Sequence, residues 1–303
     1  MPDLPETKDS WFHFMRQGMF EEAWNHSDSV LRTGANRDYI NLPRHYQCIW
    51  DGSSLEGKCV LVRCYHGLGD TIQFVRYVPM LKKIAKEVNL WVQPRLIELF
   101  HSVKGIDRLI PLHDGAPGIE YDADIEIMEL PHYFRTTAST IPSEFPYIYV
   151  EPRNFDCDNQ QFSAGIVWKA GDWDKSRNID FEYIKPLFSI KGLKICILQN
   201  DATDAGWKPG YGIHPGKCTL LEHAEIIKGL DVMISIDSMP AHLAGALNVP
   251  VWLLLNSEAD WRWMENRTDT PWYPSMQIFR KEKKENWPGL IKIVMNSLKK
   301  LID

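Results

Sequence analysis

The 303-residue sequence lacks several features that would define whole classes of protein. It has no dense block of lysine and arginine, and its formal net charge is −6. A surface of that sign does not attract a polyanionic backbone, so no nucleic-acid partner is expected. No apolar run approaches the roughly 20 residues that cross a bilayer, so no transmembrane segment is expected. The first ten residues are polar and acidic, unlike a secretory leader. The six cysteines, Cys48, Cys59, Cys64, Cys157, Cys196 and Cys218, show no paired C-x-x-C spacing. Cys59, Cys64 and Cys196 lie in strand-like runs. They read as reduced core residues, which implies a cytoplasmic setting. A G-x-G-x-x-G dinucleotide fingerprint is also missing, because the early glycine-rich turn reads G-x-G-D.

What is present is the composition of a globular chain, 44% hydrophobic and 24% charged, long enough for one large or two ordinary domains. Twelve tryptophans are many for this length. Trp173, Trp207, Trp261, Trp263 and Trp272 fall in loop-like segments. There they either stack on sugars or bases, or plug gaps between domains.

In chain order, residues 9–33 read as a helical hairpin. Trp11, Phe12, Met15, Met19, Phe20, Ala23 and Trp24 fall at helical spacing, with Gly18 between the helices. The stretch from Gly18 to Ala23 resembles the middle of a tetratricopeptide repeat. One copy cannot bury its face alone, so it caps the first domain or mediates self-association. Residues 36–57 read as an arm. Strands are expected at Cys59–Cys64, Val88–Val92, Arg108–Leu112, Asp124–Met128 and Tyr147–Val150. Helices are expected from about Thr71 to Lys83 and over Arg95–Val103. The polar stretch Glu151–Gln161 reads as a linker. Alternation then restarts with strands Ala164–Trp168 and Leu193–Leu198 and helices Phe181–Phe188 and Leu220–Lys228. A last strand near Ile278–Phe279 and an amphipathic helix Trp287–Leu301 follow. The expected boundaries are 1–54 for the helical extension, 55–152 and 160–285 for two Rossmann-like domains, and 286–303 for the last helix.

The stretch 231–255 organises the second domain. Val232–Ile236 suits a strand buried on both faces. Asp237 and Ser238 are good N-caps, and Pro240 is tolerated early in a helix. Ala241–Leu247 is small enough to lie close on a sheet, and Asn248 suits a left-handed cap before strand Val251–Leu255. The helix N-terminus then points at the carboxyl edge of a parallel sheet, where free N–H groups and the helix dipole favour a phosphate. Asp237, Ser238 and His242 flank that point. The plain alternative is a ligand-free turn with His242 as a satisfied core residue.

The pattern Asp237-Ser238-x-Pro240-x-His242-Leu243-Ala244-x-Ala246-Leu247-x-x-Pro250 resembles the donor-site signature of glycosyltransferase family 9, the ADP-heptose–lipopolysaccharide heptosyltransferases and their relatives. Met239 and Asn248 stand where the family usually has glycine. Met239 narrows the space against the phosphates, whereas asparagine tolerates the left-handed conformation. The resemblance implies an α/β, GT-B fold, with two Rossmann-like domains facing across a cleft and a terminal helix that packs back toward the first. The stretch from Arg63 to Tyr77 resembles the glycosyltransferase-like domains found behind tetratricopeptide repeats.

The Gly67-Leu68-Gly69-Asp70 turn lets the backbone approach a substrate closely. By resemblance Asp70 is the base that deprotonates the acceptor hydroxyl, with displacement and inversion at the anomeric carbon. Its alternative is a plain helix cap. His66 is the runner-up base, and Gln73 and Arg76 line the acceptor side, unless Arg76 is a solvated helix residue. A departing diphosphate needs positive charge. Lys169, Lys175 and Arg177 follow the first strand of the second domain, where family relatives carry a basic residue. Arg177 is the first choice, and a mobile charged loop is the alternative. Gln199, Asp237, Ser238, Met239 and His242 complete the donor side. No metal ligand set or cofactor is expected, since no Asp-x-Asp pair ends a strand and a GT-B site needs no metal.

The expected activity is inverting transfer from a nucleotide-diphosphate sugar to a glycan, lipid-linked or protein acceptor. The alternative from another class is a non-catalytic sugar-nucleotide-binding scaffold.

Overall fold

The structure is a computed structural model that describes residues 8–33, 50–154, 161–171, 174–283 and 286–302. Most of the expected arm, much of the expected linker and Trp173 lie outside the described residues. The chain divides into two compact units. Unit 1 is Met1–Ile148 with Asp260–Glu265, and unit 2 is Tyr149–Ala259 with Asn266–Asp303.

Unit 1 opens with a helical hairpin, α1 (Lys8–Arg16) and α2 (Phe20–Thr33), which turns at Gly18 with φ 74°. The buried face of Met15, Phe20, Ala23 and Trp24 is used within the unit. Trp24 Nε1–H donates to the Thr136 carbonyl at 2.6 Å, and its ring stacks on His132. Asp28 pairs with His132 and Arg135 at 2.7 and 2.9 Å. The hairpin therefore caps the α/β part of the unit.

That part runs β1 (Cys59–Arg63), α3 (Leu68–Phe74), α4 (Val78–Lys82), β2 (Glu87–Val92), α5 (Ile97–Phe100), β3 (Arg108–Pro111), β4 (Ala123–Glu126) and α6 (Leu130–Tyr133). The strands are all parallel in the order β3-β2-β1-β4. Val60, Leu61 and Val62 in β1 are fully buried, as expected for a strand covered on both faces. The long helix expected over 71–83 differs in two ways. It starts earlier, at Leu68, because the Asp70 carboxylate accepts the N–H of the N-cap Gly67 and holds the first turn. It is also broken by a 3-10 turn over Val75–Tyr77, because Pro79 has no N–H for the Val75 carbonyl and its ring crowds that group. The strand expected over 147–150 is irregular chain instead. Tyr147 turns inward, donating to the Ile72 carbonyl at 3.1 Å and accepting from Arg76 at 2.9 Å.

Unit 2 runs β5 (Phe162–Val167), α7 (Phe181–Ile184), β6 (Leu193–Ile197), α8 (Leu220–Lys228), β7 (Val232–Ile236), α9 (Met239–Ala246), β8 (Val251–Leu255), β9 (Met276–Arg280) and α10 (Trp287–Ile302). Its five parallel strands lie in the order β6-β5-β7-β8-β9. Pro186 ends α7 early, and a 3-10 turn over Lys185–Ser189 completes the expected helix. Leu290, Ile291, Val294 and Leu298 of α10 join the core of unit 2 beside Ile190, Ile195 and Phe279, so its apolar stripe is satisfied within its own unit.

Helix α9 lies close on the sheet because half of its eight residues are alanine or glycine. A Cβ at Gly245 would sit 2.4 Å from the ring of fully buried Tyr273, well inside contact distance. Gly245→Ala is expected to lower stability by about 1–3 kcal/mol through overpacking, visible as a lower urea midpoint. An unchanged midpoint would mean that Tyr273 moves aside freely.

Candidate active site at the strand ends

In a parallel sheet every strand delivers its carboxyl end to the same edge, so the turns there collect functional groups. Each unit has one such edge.

In unit 1, β1 runs into Cys64-Tyr65-His66-Gly67 and then into α3. Asp70 is the third residue of that helix, and its Oδ2 accepts the Gly67 N–H at 3.0 Å. Its Oδ1 accepts from Arg262 Nη2 at 2.5 Å. The same guanidinium donates from Nε to Gln73 Oε1 at 2.8 Å and from Nη1 to Asp260 Oδ1 at 2.8 Å. Arg262 is buried, and its plane lies 4.6 Å over the Trp261 ring and 5.5 Å from that of Phe74. Asp70 is therefore both a cap and one member of a charge cluster. Gly67 is the N-cap at φ −64°, so its glycine serves space rather than backbone freedom; a Cβ there would come within 3.1 Å of Asp70 Oδ2. Gly69 lies inside the first turn of α3.

His66 lies beside this turn. Its carbonyl accepts from Gln93 Nε2 at 2.6 Å, and its Nε2 lies 3.6 Å from Glu126 Oε2. Glu126 ends β4, is 1% exposed, and caps the next turn by accepting the Met128 N–H at 2.6 Å. Burial pushes this carboxyl well above the usual range, and the nearby charges of Glu129 and Asp70 add to the rise. Glu126 escaped the sequence reading, whose one available signal was an acidic residue inside an apolar strand. Arg76 is not a solvated helix residue. It is buried between Phe145 and Tyr147 and donates to the Gln73 carbonyl at 2.8 Å. Gln73 is fully buried, and its amide oxygen is held by Arg262.

In unit 2, α9 begins at Met239 with Ser238 as N-cap, but no side chain caps the helix. Ser238 Oγ instead pairs with Ser235 Oγ at 3.0 Å and donates to the Ile236 carbonyl at 3.2 Å. The first-turn N–H groups thus keep their affinity for an anion. Arg177 stands at this point, donating from Nη1 to the Asp237 carbonyl at 2.9 Å with the Asp237 carboxylate 4.0 Å away. His242 is buried, with Nε2 3.9 Å from Asp237 Oδ1 and Nδ1 paired to the Tyr273 hydroxyl at 2.9 Å. Tyr273 was not singled out in sequence for this contact. Met239 is half-buried at the first helical position. Lys169 and Lys175 are exposed near the end of β5, and Arg177 is bonded to the β7–α9 turn. Gln199, expected to touch the nucleotide, braces the strand end. Its Oε1 accepts the N–H groups of Trp168 and Lys169 at 3.1 and 2.9 Å, and its Nε2 donates to the carbonyls of Lys169 and Asn200.

The loop tryptophans act as plugs within the units. Trp261 and Trp263 are buried in unit 1 and Trp272 in unit 2, while Trp207 donates to the Tyr211 carbonyl at 2.6 Å. The described cysteines are unpaired, and burial pushes the Cys196 thiol up to about 12. No described helix is long and apolar enough to cross a membrane.

Residues 212–288, which span the whole β7–α9–β8 unit, match the profile of glycosyltransferase family 9 (heptosyltransferase). Similar solved structures include a family 9 glycosyl transferase from Veillonella parvula, with TM-score 0.58 at 12% identity over 82% of this chain and 98% of that one. ADP-heptose LPS heptosyltransferase II of E. coli matches with TM-score 0.57 at 13% identity over 80% and 98%. TibC, an iron-containing dodecameric glycosyltransferase of enterotoxigenic E. coli, matches with TM-score 0.54 at 12% identity over 83% and 78%. These likenesses show the GT-B fold. Protein FlbA of Caulobacter vibrioides is 23% identical over 82% of this chain, which spans about half of that relative, 48% of its length.

The state of Glu126 can be tested through stability. Between the ordinary carboxyl value of 4.5 and the raised value in the fold, the folded chain keeps a proton that the unfolded chain releases. That contribution is complete below 4.5 and declines as pH rises toward the folded value. Glu126→Gln retains an acceptor for Met128 N–H and removes the ionisation. Its melting temperature is expected to gain on the parent progressively as pH rises above the ordinary carboxyl value. A variant equally destabilised at every pH would show that Glu126 is held as an ion.

Proposed function

We propose that the chain is an inverting glycosyltransferase using a nucleoside-diphosphate sugar. The observation that carries this reading is the seat of Arg177 on the Asp237 carbonyl, beside the uncapped N-terminus of α9 in the family 9 segment. A diphosphate there would meet backbone N–H groups, the helix dipole and a guanidinium together. In this reading unit 2 supplies the groups that receive the leaving diphosphate, and unit 1 supplies the base. Asp70 takes the proton of the acceptor hydroxyl. The oxygen attacks the anomeric carbon opposite the diphosphate, the bond from that carbon to the diphosphate oxygen breaks, and the configuration inverts. The new negative charge falls on the diphosphate, where Arg177 and the helix end stabilise it. His242, held by Tyr273, adds a polar contact to the phosphates.

The heptosyltransferase WaaC of E. coli has been solved with ADP and with an ADP-heptose analogue, and TibC with ADP-D-β-D-heptose. An ADP-linked heptose is therefore the first donor to try here, with a glycan, lipid-linked or protein hydroxyl as acceptor, in the cytoplasm and without a metal. Met239 favours one rival, a scaffold that binds nucleotide sugar without turnover, because it puts a side chain where family 9 usually has glycine.

A thermal-shift series with ADP, UDP, GDP and CDP and their sugar conjugates tests the donor reading, since binding to the native state raises the melting temperature. One nucleoside diphosphate should stand out, and Arg177→Ala should weaken its binding by about tenfold to a hundredfold. Unchanged affinity in that variant would remove the phosphate role. Asp70→Ala should lower turnover by about 10²–10⁴-fold with donor binding retained. Donor binding without turnover in the parent chain across all three acceptor classes would favour the scaffold.

A further inference from the structure

The segment Asp260–Glu265 groups with unit 1, although both chain stretches that flank it belong to unit 2. It lies between the catalytic turn and the N-terminal hairpin. On one side Arg262 reaches Asp70 Oδ1 at 2.5 Å and Gln73 Oε1 at 2.8 Å. On the other side the segment is tied to the hairpin. The Glu265 N–H donates to the Arg16 carbonyl at 3.0 Å, and Gln17 Nε2 donates to Glu265 Oε2 at 2.9 Å. The Trp11 and Trp261 rings meet edge-on with centroids 5.2 Å apart, and Met264 Sδ would lie 3.6 Å from a Cβ on Gly18.

Within the segment, Asp260 caps its own turn by accepting the Arg262 N–H at 3.0 Å and also takes Nη1 of the same residue at 2.8 Å. The guanidinium is thus clamped on its anionic side by Asp260, flanked by Trp261 and Phe74, and left with Nη2 and Nε for α3. Asp70 and Gln73 sit one turn apart on α3, so a planar fork can hold both where a point charge would hold one. Fixing Gln73 Oε1 on Arg262 also fixes which end of the amide is the donor. Gln73 Nε2 is buried and has no hydrogen-bond partner among the described residues.

We propose that Arg262 is the positioning residue of the acceptor turn: its guanidinium sets the carboxylate of Asp70 and the amide of Gln73 together, and the α1–α2 hairpin holds it in place through Trp261 and Glu265. The proposal rests on the reading of Asp70 as the base. It gives the repeat-like hairpin a function inside its own unit. It also assigns to the Asp-Trp-Arg-Trp run, Asp260 to Trp263, the task of orienting a group nearly two hundred residues upstream.

The test uses the full chain with Arg262→Ala and Arg262→Lys. Lysine keeps the charge but lacks the fork, so it reports on positioning even if the alanine variant folds poorly. Hydrogen exchange needs no substrate. The amides of 67–73 should exchange faster in both variants, while β5–β8 of unit 2 stay unchanged. Turnover, read as ADP released from ADP-heptose in the presence of acceptor, should fall by about 10²-fold in Arg262→Ala with KM for the donor unchanged. Added guanidinium ion should restore part of it. The pair Asp70→Ala and Arg262→Ala should be no slower than Asp70→Ala alone. Unchanged exchange over 67–73, exchange raised throughout unit 1, or a double variant slower than the single one would each overturn the positioning role. Absence of ADP release in the parent chain would count against the donor reading alone, and hydrogen exchange would then decide for Arg262.

Discussion

A cation out of water must be paired, and unit 1 is arranged around that requirement. Arg262 is only 7% exposed, and the desolvation of its charge is offset by two carboxylates, one amide oxygen and two aromatic faces. Removing any partner leaves a buried charge short of compensation, so the cluster holds or fails as a group. The same arrangement bears on Glu126. Glu126, a third carboxylate of the unit, lies 3.6 Å from the imidazole of His66. Burial pushes its pKa well above the usual carboxyl range, and the Asp70 charge adds to the rise.

Unit 2 solves a related problem with the opposite emphasis. In the proposed reading its strand end receives negative charge, and there the helix start has no side-chain cap and the local serines turn back on the β7 strand. Asp237 would repel an anion if it stood alone. It is instead engaged through its carbonyl by Arg177 and stands near His242, which Tyr273 orients from behind. Tyr273 in turn needs Gly245, because only a glycine lets that ring lie against the helix. The polar end of α9 and its small-residue packing are therefore one design.

The parallel strands were legible in the sequence because apolar β-branched runs admit few alternatives. Val232–Ile236 and Val251–Leu255 emerge with the boundaries the pattern implied. Asn248 adopts the left-handed conformation that its position suggested, at φ 58°. Helix boundaries were less legible where proline and side-chain capping compete, as at Pro79, Pro186 and Asp70. At the candidate site, Asp70, Arg177, Asp237 and His242 were legible as residue types at strand ends. The partners that give them their chemistry were not. Arg262 is close to Asp70 only through tertiary contact, and an Asp-Trp-Arg-Trp run alone does not say which carboxylate its arginine will meet. Gln199 shows the converse, since a strand-end amide can serve the backbone as easily as a ligand.

The path of the chain has a consequence for how such proteins diversify. Because 260–265 leaves the second unit to complete the first and then returns, the two halves are not separable cassettes. A crossover near residue 149 between two homologues would import a foreign arginine strap together with the new second unit. New donor specificities would then be inherited along with a matching helical cap, or else by changes confined to the loops around β5 and β7.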